Sequence, residues 1–175
     1  DSNVSIATAR AGNVIGGGDW SENRLIPDII RAKIANKPLV IRSPKAIRPW
    51  QHVLEPLFGY LKLAKGLNDS PKLIIGPWNF GPENQDVKTV EDIINIGKKF
   101  GIVGEVVYKE NQLVEAQCLK LNISKAKQKL DFKPKWNSEK AIENTFNWHL
   151  NYNNESSNAN KLIESDLDIY LNNSL

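Results

Sequence analysis

The fold of this chain is decided by the stretch ARAGNVIGGGDW, residues 9–20. The stretch follows a short apolar run, residues 4–9, whose length and residue types predict a buried strand. Four glycines then fall within seven residues, and glycine lets a backbone approach a ligand closely. Ligands of open α/β sheets bind at the carboxyl ends of strands, so the stretch predicts a binding loop. A plain surface loop is the alternative that composition alone leaves open.

Composition predicts a globular protein and excludes several function classes. The 175 residues are 41% hydrophobic and 25% charged, which suits one domain with a real core. No run approaches the ~18 apolar residues of a membrane span, and the lysines form no basic patch of the kind that binds nucleic acid. A single cysteine, Cys118, fits a reducing cytoplasm, and its apolar surroundings favour a buried position.

One absence concerns the extent of the chain. The sequence contains no methionine and begins at Asp1, a few residues before the predicted core strand. A strand so close to an end normally has sheet partners supplied from elsewhere. We therefore expect this chain to be a piece of a longer protein whose N-terminal part is missing.

Hydrophobic periodicity predicts alternating short strands and amphipathic helices. Strands are expected at residues 4–9, 39–41, 72–75, 105–108 and 119–121. Helices are expected at residues 24–36, 54–67, 89–101, 122–130 and 137–150. The first helix has an apolar face made of Ile26, Ile29, Ile30 and Ile34. Thr89 and Asp92 form a capping-box pattern that begins another. Residues 153–160 are interpreted as a linker, followed by a terminal helix that docks in an assembly.

A basic segment, residues 42–53, is the second informative stretch. It carries Arg42 and Arg48 with two prolines, which predicts an irregular, fixed loop. The planar fork of arginine suits a diphosphate, although a solvent-facing loop is the usual alternative. His52 has no acid or nucleophile spaced with it, which favours a core or hydrogen-bonding role. Asn79, in the turn-rich segment 76–82, could contact a base or sugar, but closing a turn is the simpler interpretation.

Four motifs in order resemble the extended short-chain dehydrogenase/reductase superfamily of nucleotide-sugar enzymes, and within it the CDP-glucose 4,6-dehydratase family. They are ARAGNVIGGGDW at residues 9–20, RLIPD at 24–28, IRPWQHVLEPL at 47–57 and WNFGP at 78–82. LKL at 119–121 with SKA at 124–126 adds a fifth, so the resemblance covers residues 5–150. The GGGDW and RPWQH elements are specific within the superfamily.

The resemblance implies an α/β fold: the C-terminal part of a Rossmann-type doubly wound sheet plus a small mixed α/β substrate-binding domain. Residues 1–152 would form this part, and residues 153–175 the linker and terminal helix. The implied cofactor is NAD, the substrate a CDP-sugar, and the assembly a homo-oligomer in the cytoplasm. The family's glycine fingerprint for NAD and its Tyr-x-x-x-Lys pair do not occur in these residues. No catalytic or metal-binding residue is therefore assigned, and the chain alone is expected to be inactive.

The site roles that the resemblance implies are binding roles. Asn13 would contact the substrate phosphates, and with Ala11 it would face the nicotinamide end of NAD. Arg24 and Leu25 would cover the nucleotide, and Arg48 would hold the diphosphate. The remaining implied contacts are with the base from Val40, Ile41 and Arg42, near the nucleotide from Asn79, and near the ribose from Glu115.

Two other readings stay open. The chain could come from a different sugar-nucleotide dehydratase or epimerase of the same superfamily. It could also be a non-catalytic module that binds a nucleotide or a partner. The sequence upstream of Asp1 would separate the second reading from an enzyme, because an enzyme needs the missing fingerprint and the Tyr-x-x-x-Lys pair there. The departure at Val114, which stands where the family has His before Glu-Ala, places the contact from Glu115 in question.

Overall fold

The computed structural model of the chain describes residues 4–109, 116–152 and 155–172. In those ranges the elements are, in order, β1 (Ala7–Ala11), β2 (Asn13–Ile15), α1 (Leu25–Ala35), β3 (Leu39–Ile41), β4 (Ile47–Arg48), β5 (Trp50–His52), α2 (Leu54–Asp69), α3 (Pro71–Ile74), β6 (Gly76–Phe80), β7 (Lys88–Thr89), α4 (Val90–Lys99), β8 (Val106–Tyr108), α5 (Ser124–Leu130), α6 (Ser138–Asn151) and α7 (Ser156–Asn172). None of these helices is long and apolar enough to cross a membrane.

Parallel strand pairs organise the fold, as the expected α/β class requires. The pairs β1–β6, β2–β5 and β3–β8 are parallel, and β4–β7 is antiparallel. In the first pair, Ala7 lies opposite Gly76 and Ala11 lies opposite Phe80. Parallel neighbours need a crossover connection, and α2 supplies it by packing against both strands. The carboxyl ends of β1 and β2 therefore lead directly into the glycine-rich loop.

Two hydrophobic clusters form the core. The first joins α1, α4 and α6 and contains the fully buried Ile29, Ile93 and Phe146. The second joins α2, β6 and α5 around Trp78 and Phe80. Burial of this apolar surface is the main favourable contribution to folding.

Helix ends follow the local signals in the sequence. The Thr89 hydroxyl accepts from the Asp92 backbone, and the Asp92 carboxylate accepts from the Thr89 backbone, so the predicted capping box is confirmed. Asn137 caps α6 by accepting from the Lys140 backbone. Helix α1 ends at Asn36, which adopts the left-handed conformation with φ 49°.

Two of the predicted strands are misplaced, and a third, at residues 119–121, does not form. The first strand is not buried and begins later than expected, because Val4 and Ile6 are 71% and 68% exposed and β1 starts at Ala7. The strand expected at residues 72–75 is helical, and β6 occupies residues 76–80 instead. Gly76, at φ 97°, turns the chain so that the following residues pair with β1. Local sequence marked that segment as a turn, but pairing with a distant strand decided its structure.

Other predictions also differ from the structure. Segment 42–53 is not wholly irregular, since it contains β4 and β5, and residues 119–121 form no strand. Helix α7 begins at Ser156, inside the predicted linker, and it packs on this chain through Tyr170, which is 1% exposed. Two side chains predicted to be buried, Ile34 and Cys118, are exposed.

Candidate functional site

A cavity of about 970 Å³ lies where the glycine-rich loop, the start of α1, β3 and β4 meet. Its size falls within the range of ~300–1,000 Å³ typical of small-molecule sites. It is lined by Gly12, Asn13, Val14, Ile15, Asp19, Asn23, Arg24, Leu25, Ile26, Pro27, Asp28, Val40, Ile41, Arg42, Ser43, Ala46, Arg48, Trp50 and Val90. Segments distant in sequence thus converge on one concave surface.

Most of the residues singled out from the sequence line this cavity. The residues that share it are Asn13, Arg24, Leu25, Val40, Ile41, Arg42 and Arg48. These residues belong to β2, β3, β4 or the first turn of α1, or they adjoin one of these elements. The backbone of these elements therefore fixes where each side chain enters the cavity. The structure places these side chains together, and their binding roles stay predictions.

Three other predicted residues do not line the cavity that the described residues form. Ala11 lies at the end of β1 opposite Phe80. Asn79 lies in β6, where its amide nitrogen donates to the Asn122 carbonyl at 3.2 Å. Glu115 lies outside the described residues. The predicted roles of all three stay untested.

Arg48 is a half-buried cation at the cavity wall. Its Nη1 donates to the carbonyls of Ile47 at 2.9 Å and Ala116 at 2.8 Å. These contacts fix one side of the guanidinium, whose five donors can serve more than one group. Together with Arg24 and Arg42, it gives the cavity three permanent positive charges. Asp19 and Asp28 add two carboxylates to the same lining, and Asp19 pairs with Arg24, so an anionic ligand is best matched beside Arg42 and Arg48.

Asp19 is a cavity residue that the sequence reasoning did not select. Its carboxylate accepts from the Ser21 backbone at 3.0 Å and pairs with the Arg24 guanidinium at 3.2 Å. Burial alone raises the pKa of Asp19, but the Ser21 and Arg24 contacts outweigh burial and place that pKa below its ordinary value. Asp19 is therefore ionised at neutral pH. Its position directly after the glycines, five residues before Arg24, was the available signal.

The glycines of the loop serve internal packing, while Gly12 also lines the cavity, and their role in admitting a ligand stays a prediction. A Cβ on Gly17 would lie 2.1 Å from the Trp148 ring, and one on Gly12 would lie 2.5 Å from the Pro49 carbonyl oxygen. Both distances are far below van der Waals contact. Gly18 also has φ 78°, which disfavours side chains. Gly17 and Gly18 therefore let the loop pack closely against Trp148 of α6, while Gly16 packs against Val53.

His52 has the core role predicted for it. It is 2% exposed, and its Nε2 lies 3.7 Å from an Asp166 carboxylate oxygen in α7. Burial lowers the pKa of His52 to about 4, so its imidazole is neutral at physiological pH. Within the described ranges, no three His, Cys, Asp or Glu side chains are grouped in a way that could hold a metal ion.

Comparison with known proteins gives one sequence relative and several structural neighbours. No protein-family model matches the chain. CDP-glucose 4,6-dehydratase of Salmonella typhimurium is 45% identical over 150 residues, which are 83% of this chain and 41% of that protein. The chain therefore spans less than half the length of the curated relative that it matches. This identity confirms the resemblance stated from the motifs.

Solved structures confirm the fold class. UDP-glucose 4-epimerase from Stenotrophomonas maltophila with bound NAD superposes with a TM-score of 0.74 at 15% identity, over 85% of this chain and 48% of that one. An epimerase from Methanothermobacter thermautotrophicus gives 0.71 at 22% identity, over 92% and 46%. dTDP-glucose 4,6-dehydratase from Bacillus anthracis with NAD gives 0.66 at 18% identity, over 82% and 44%. The shared architecture is the Rossmann-type fold expected from the sequence.

Proposed function

We propose that this chain is the substrate-binding portion of a CDP-glucose 4,6-dehydratase, within the superfamily of NAD-dependent sugar-nucleotide dehydratases and epimerases. The reaction converts CDP-D-glucose to CDP-4-dehydro-6-deoxy-D-glucose, with loss of water. Support for the cytidine nucleotide comes from the 45% identity to the Salmonella typhimurium enzyme. The enzyme would act in the cytoplasm, as the single cysteine suggests.

The observation that carries this proposal is the arginine-lined cavity. A nucleotide-sugar diphosphate brings two negative charges, and these must be matched when they leave water. Arg48 is the residue that we assign to the diphosphate, because it is partly buried and already held by two carbonyl groups. Asn13, at the start of β2, adds an amide that can donate to a phosphate oxygen.

The rest of the cavity offers surfaces for the nucleoside. Val40 and Ile41 present an apolar strand edge to the base, and Arg42 follows them at the rim. Arg24 and Leu25 cover the nucleotide from the start of α1. Asn79 and Glu115 are proposed as further contacts to the nucleotide and ribose, on resemblance alone.

NAD would meet this chain at a small surface. Ala11 lies at the carboxyl end of the parallel strand β1, which is where α/β sheets bind cofactors, and Asn13 follows two residues later at the start of β2. The amide of Asn13 is a suitable donor and acceptor for a carboxamide, so these residues fit the nicotinamide end. When bound, NAD supplies hydride transfer, and the residues of this chain only position it.

The catalytic groups would come from a preceding Rossmann portion of the same protein. No Tyr-x-x-x-Lys pair and no glycine fingerprint occur among the 175 residues. We therefore propose that the chain by itself binds substrate without turning it over. The complete protein would be a homo-oligomer, as is common in the family.

Titration with CDP-, dTDP-, UDP- and GDP-glucose tests the proposal. Isothermal calorimetry on the 175-residue chain should show the tightest binding for CDP-glucose. Preference for another nucleotide would favour a sister dehydratase or epimerase. Binding of free nucleotides with no gain from the sugar, in a protein whose upstream sequence lacks the catalytic pair, would favour a non-catalytic module.

A further inference from the structure

Arg31 donates hydrogen bonds to the loop between the glycines and α1, residues 19–24. It is not among the described residues that line the cavity. It lies in α1, and its Nη1 donates to the Trp20 carbonyl at 2.8 Å. Its Nη2 donates to the Ser21 carbonyl at 3.0 Å and also to the carboxylate of Asp28, one turn earlier in the helix. One guanidinium therefore holds two consecutive backbone carbonyls of the loop.

The contacts of Arg31 continue directly to the cavity. The Ser21 carbonyl accepts from Arg31, and the Ser21 amide donates to Asp19 at 3.0 Å. The other oxygen of Asp19 accepts from Arg24 at 3.2 Å. Asp19, Arg24 and Asp28 all line the cavity. A single chain of hydrogen bonds thus links Arg31 to the cavity-lining Asp19–Arg24 pair.

Residues 19–24 belong to no helix or strand, and only residues 22 and 23 form a turn. Besides these hydrogen bonds, the loop is supported by Trp20, which is 41% exposed and whose ring contacts the rings of His149 and Tyr152. A segment with few buried contacts opens easily unless specific hydrogen bonds hold it. The planar fork of arginine can hold two acceptors at fixed separation, whereas the ammonium of lysine acts as a point charge.

We infer that Arg31 is a positioning residue, which fixes the loop from Asp19 to Arg24 and so presents the Asp19–Arg24 pair to the ligand. The ligand part of this inference rests on the proposed function. A purely local role is the competing explanation, in which Arg31 pairs with Asp28 on the surface of α1 and leaves the loop unaffected.

Two substitutions separate these explanations. Arg31→Ala removes every contact, while Arg31→Lys keeps a cation beside Asp28 and loses the fork that spans Trp20 and Ser21. Lys33→Ala is the matched control, because Lys33 is an exposed cation on the same helix. Each variant of the 175-residue chain is studied by amide hydrogen exchange at residues 19–24 and by calorimetry with CDP-glucose.

We expect Arg31→Ala to exchange faster at residues 19–24 and to bind CDP-glucose about tenfold more weakly, with unchanged exchange in α4. Arg31→Lys should show the same loop opening to a smaller degree, which keeps the test decisive if the alanine variant does not fold. Lys33→Ala should match the parent chain.

Unchanged exchange at residues 19–24 in both Arg31 variants would overturn the inference, whatever the ligand does. Faster exchange with unchanged affinity for CDP-glucose would also overturn it, because the loop would then not serve the cavity. If the parent chain does not bind CDP-glucose, the proposed function fails. The positioning of the loop by Arg31 is then decided by hydrogen exchange alone.

Discussion

At the scale of single residues, the charged side chains of Arg48 and Glu55 have different roles, the first toward a ligand and the second in the fold. Arg48 faces the cavity and is held by backbone carbonyls on one side. Glu55 is fully buried, where it accepts from the backbone amides of Lys135 and Trp136 and from the Tyr170 hydroxyl. Burial raises the pKa of Glu55, and these donors counteract the rise. The first residue is placed for a ligand and the second for the fold.

Arg48→Ala should weaken binding of CDP-glucose strongly and raise the KM of the complete enzyme. Removing one partner of a desolvated charge pair typically costs ~2–5 kcal/mol, so a loss of at least thirtyfold in affinity is expected. Calorimetry on this chain and steady-state kinetics on the complete enzyme measure it. Lys45→Ala, an exposed cation in the same segment, is the control. An unchanged KM for the nucleotide sugar would remove Arg48 from the site.

Glu55→Gln should destabilise the chain by about 3 kcal/mol, because an amide nitrogen replaces an acceptor and leaves buried donors unpaired. The free energy of unfolding in urea is the measurement. Glu164→Gln provides the comparison, since Glu164 is exposed on α7 and should change stability by less than about 0.5 kcal/mol. Equal stability of the two variants would show that Glu55 does not join these segments.

At the scale of elements, helix α7 is attached to the body of the chain by polar contacts on a buried face. The Tyr170 hydroxyl donates to Glu55, and the Lys135 ammonium donates to the Tyr170 carbonyl at 3.1 Å. Asp166 lies beside His52 at 3.7 Å. Burial raises the pKa of Asp166 to about 6, against a smaller opposing effect of Lys140. Docking of this helix therefore responds to pH through two groups with opposite tendencies.

The His52–Asp166 pair should give opposing pH dependences that one substitution separates. His52, with a pKa of about 4 instead of 6.5, contributes stability above pH 6.5 that is lost as the pH falls toward 4, at most about 3 kcal/mol. Asp166, with its pKa raised from 3.8 to about 6, contributes stability at low pH that is lost as the pH rises through 6. The two effects offset each other between pH 4 and 6.

Asp166→Asn removes only the second effect. The free energy of unfolding of this variant, relative to the parent chain, should therefore rise as the pH increases from 4 to 6. Urea unfolding at four pH values across this range measures it. Asp168→Asn, an exposed carboxylate on the same helix, should show no such trend. Parallel curves for Asp166→Asn and the parent would contradict the assignment.

At the scale of the whole molecule, the chain exposes apolar side chains where a sheet begins. Among the described residues β1 pairs with β6 alone, and Ile6 precedes it with 68% of its surface exposed. Leu73 and Ile75 are also exposed, and Ile75 adjoins Gly76, whose amide donates to the Ile6 carbonyl. An open strand edge flanked by apolar residues is a pairing surface. We propose that a strand of the preceding Rossmann portion covers it.

We expect the isolated chain to self-associate through this uncovered edge, and Ile6→Lys should reduce that association, because a charge on a strand edge opposes pairing with another copy. Sedimentation velocity measures this, and the melting temperature should stay within a few degrees since the side chain is already exposed. Ile163→Lys, on the exposed side of α7, should not change association. Self-association that is equal in both variants would show that the edge of β1 is not the surface involved.

Much of the fold and seven of the nineteen cavity-lining residues could be predicted from the sequence. Helix starts at Thr89 and Asn137 were predictable because capping acts between residues three positions apart. The convergence of Asn13, Arg24 and Arg48 followed from a resemblance rather than from residue physics. The strand at residues 76–80 was not predictable from local signals, which favoured a turn there.

The sequence by itself determined the α/β class and most of the helices, because periodicity, caps and prolines act over a few neighbouring residues, and its motifs indicated the candidate binding residues by resemblance. Only the tertiary structure decided what the glycines contact, where Arg31 donates and how α7 docks. Those outcomes depend on Trp148, Glu55 and other residues distant along the chain. Their contacts form only when the two hydrophobic clusters bring separate segments together.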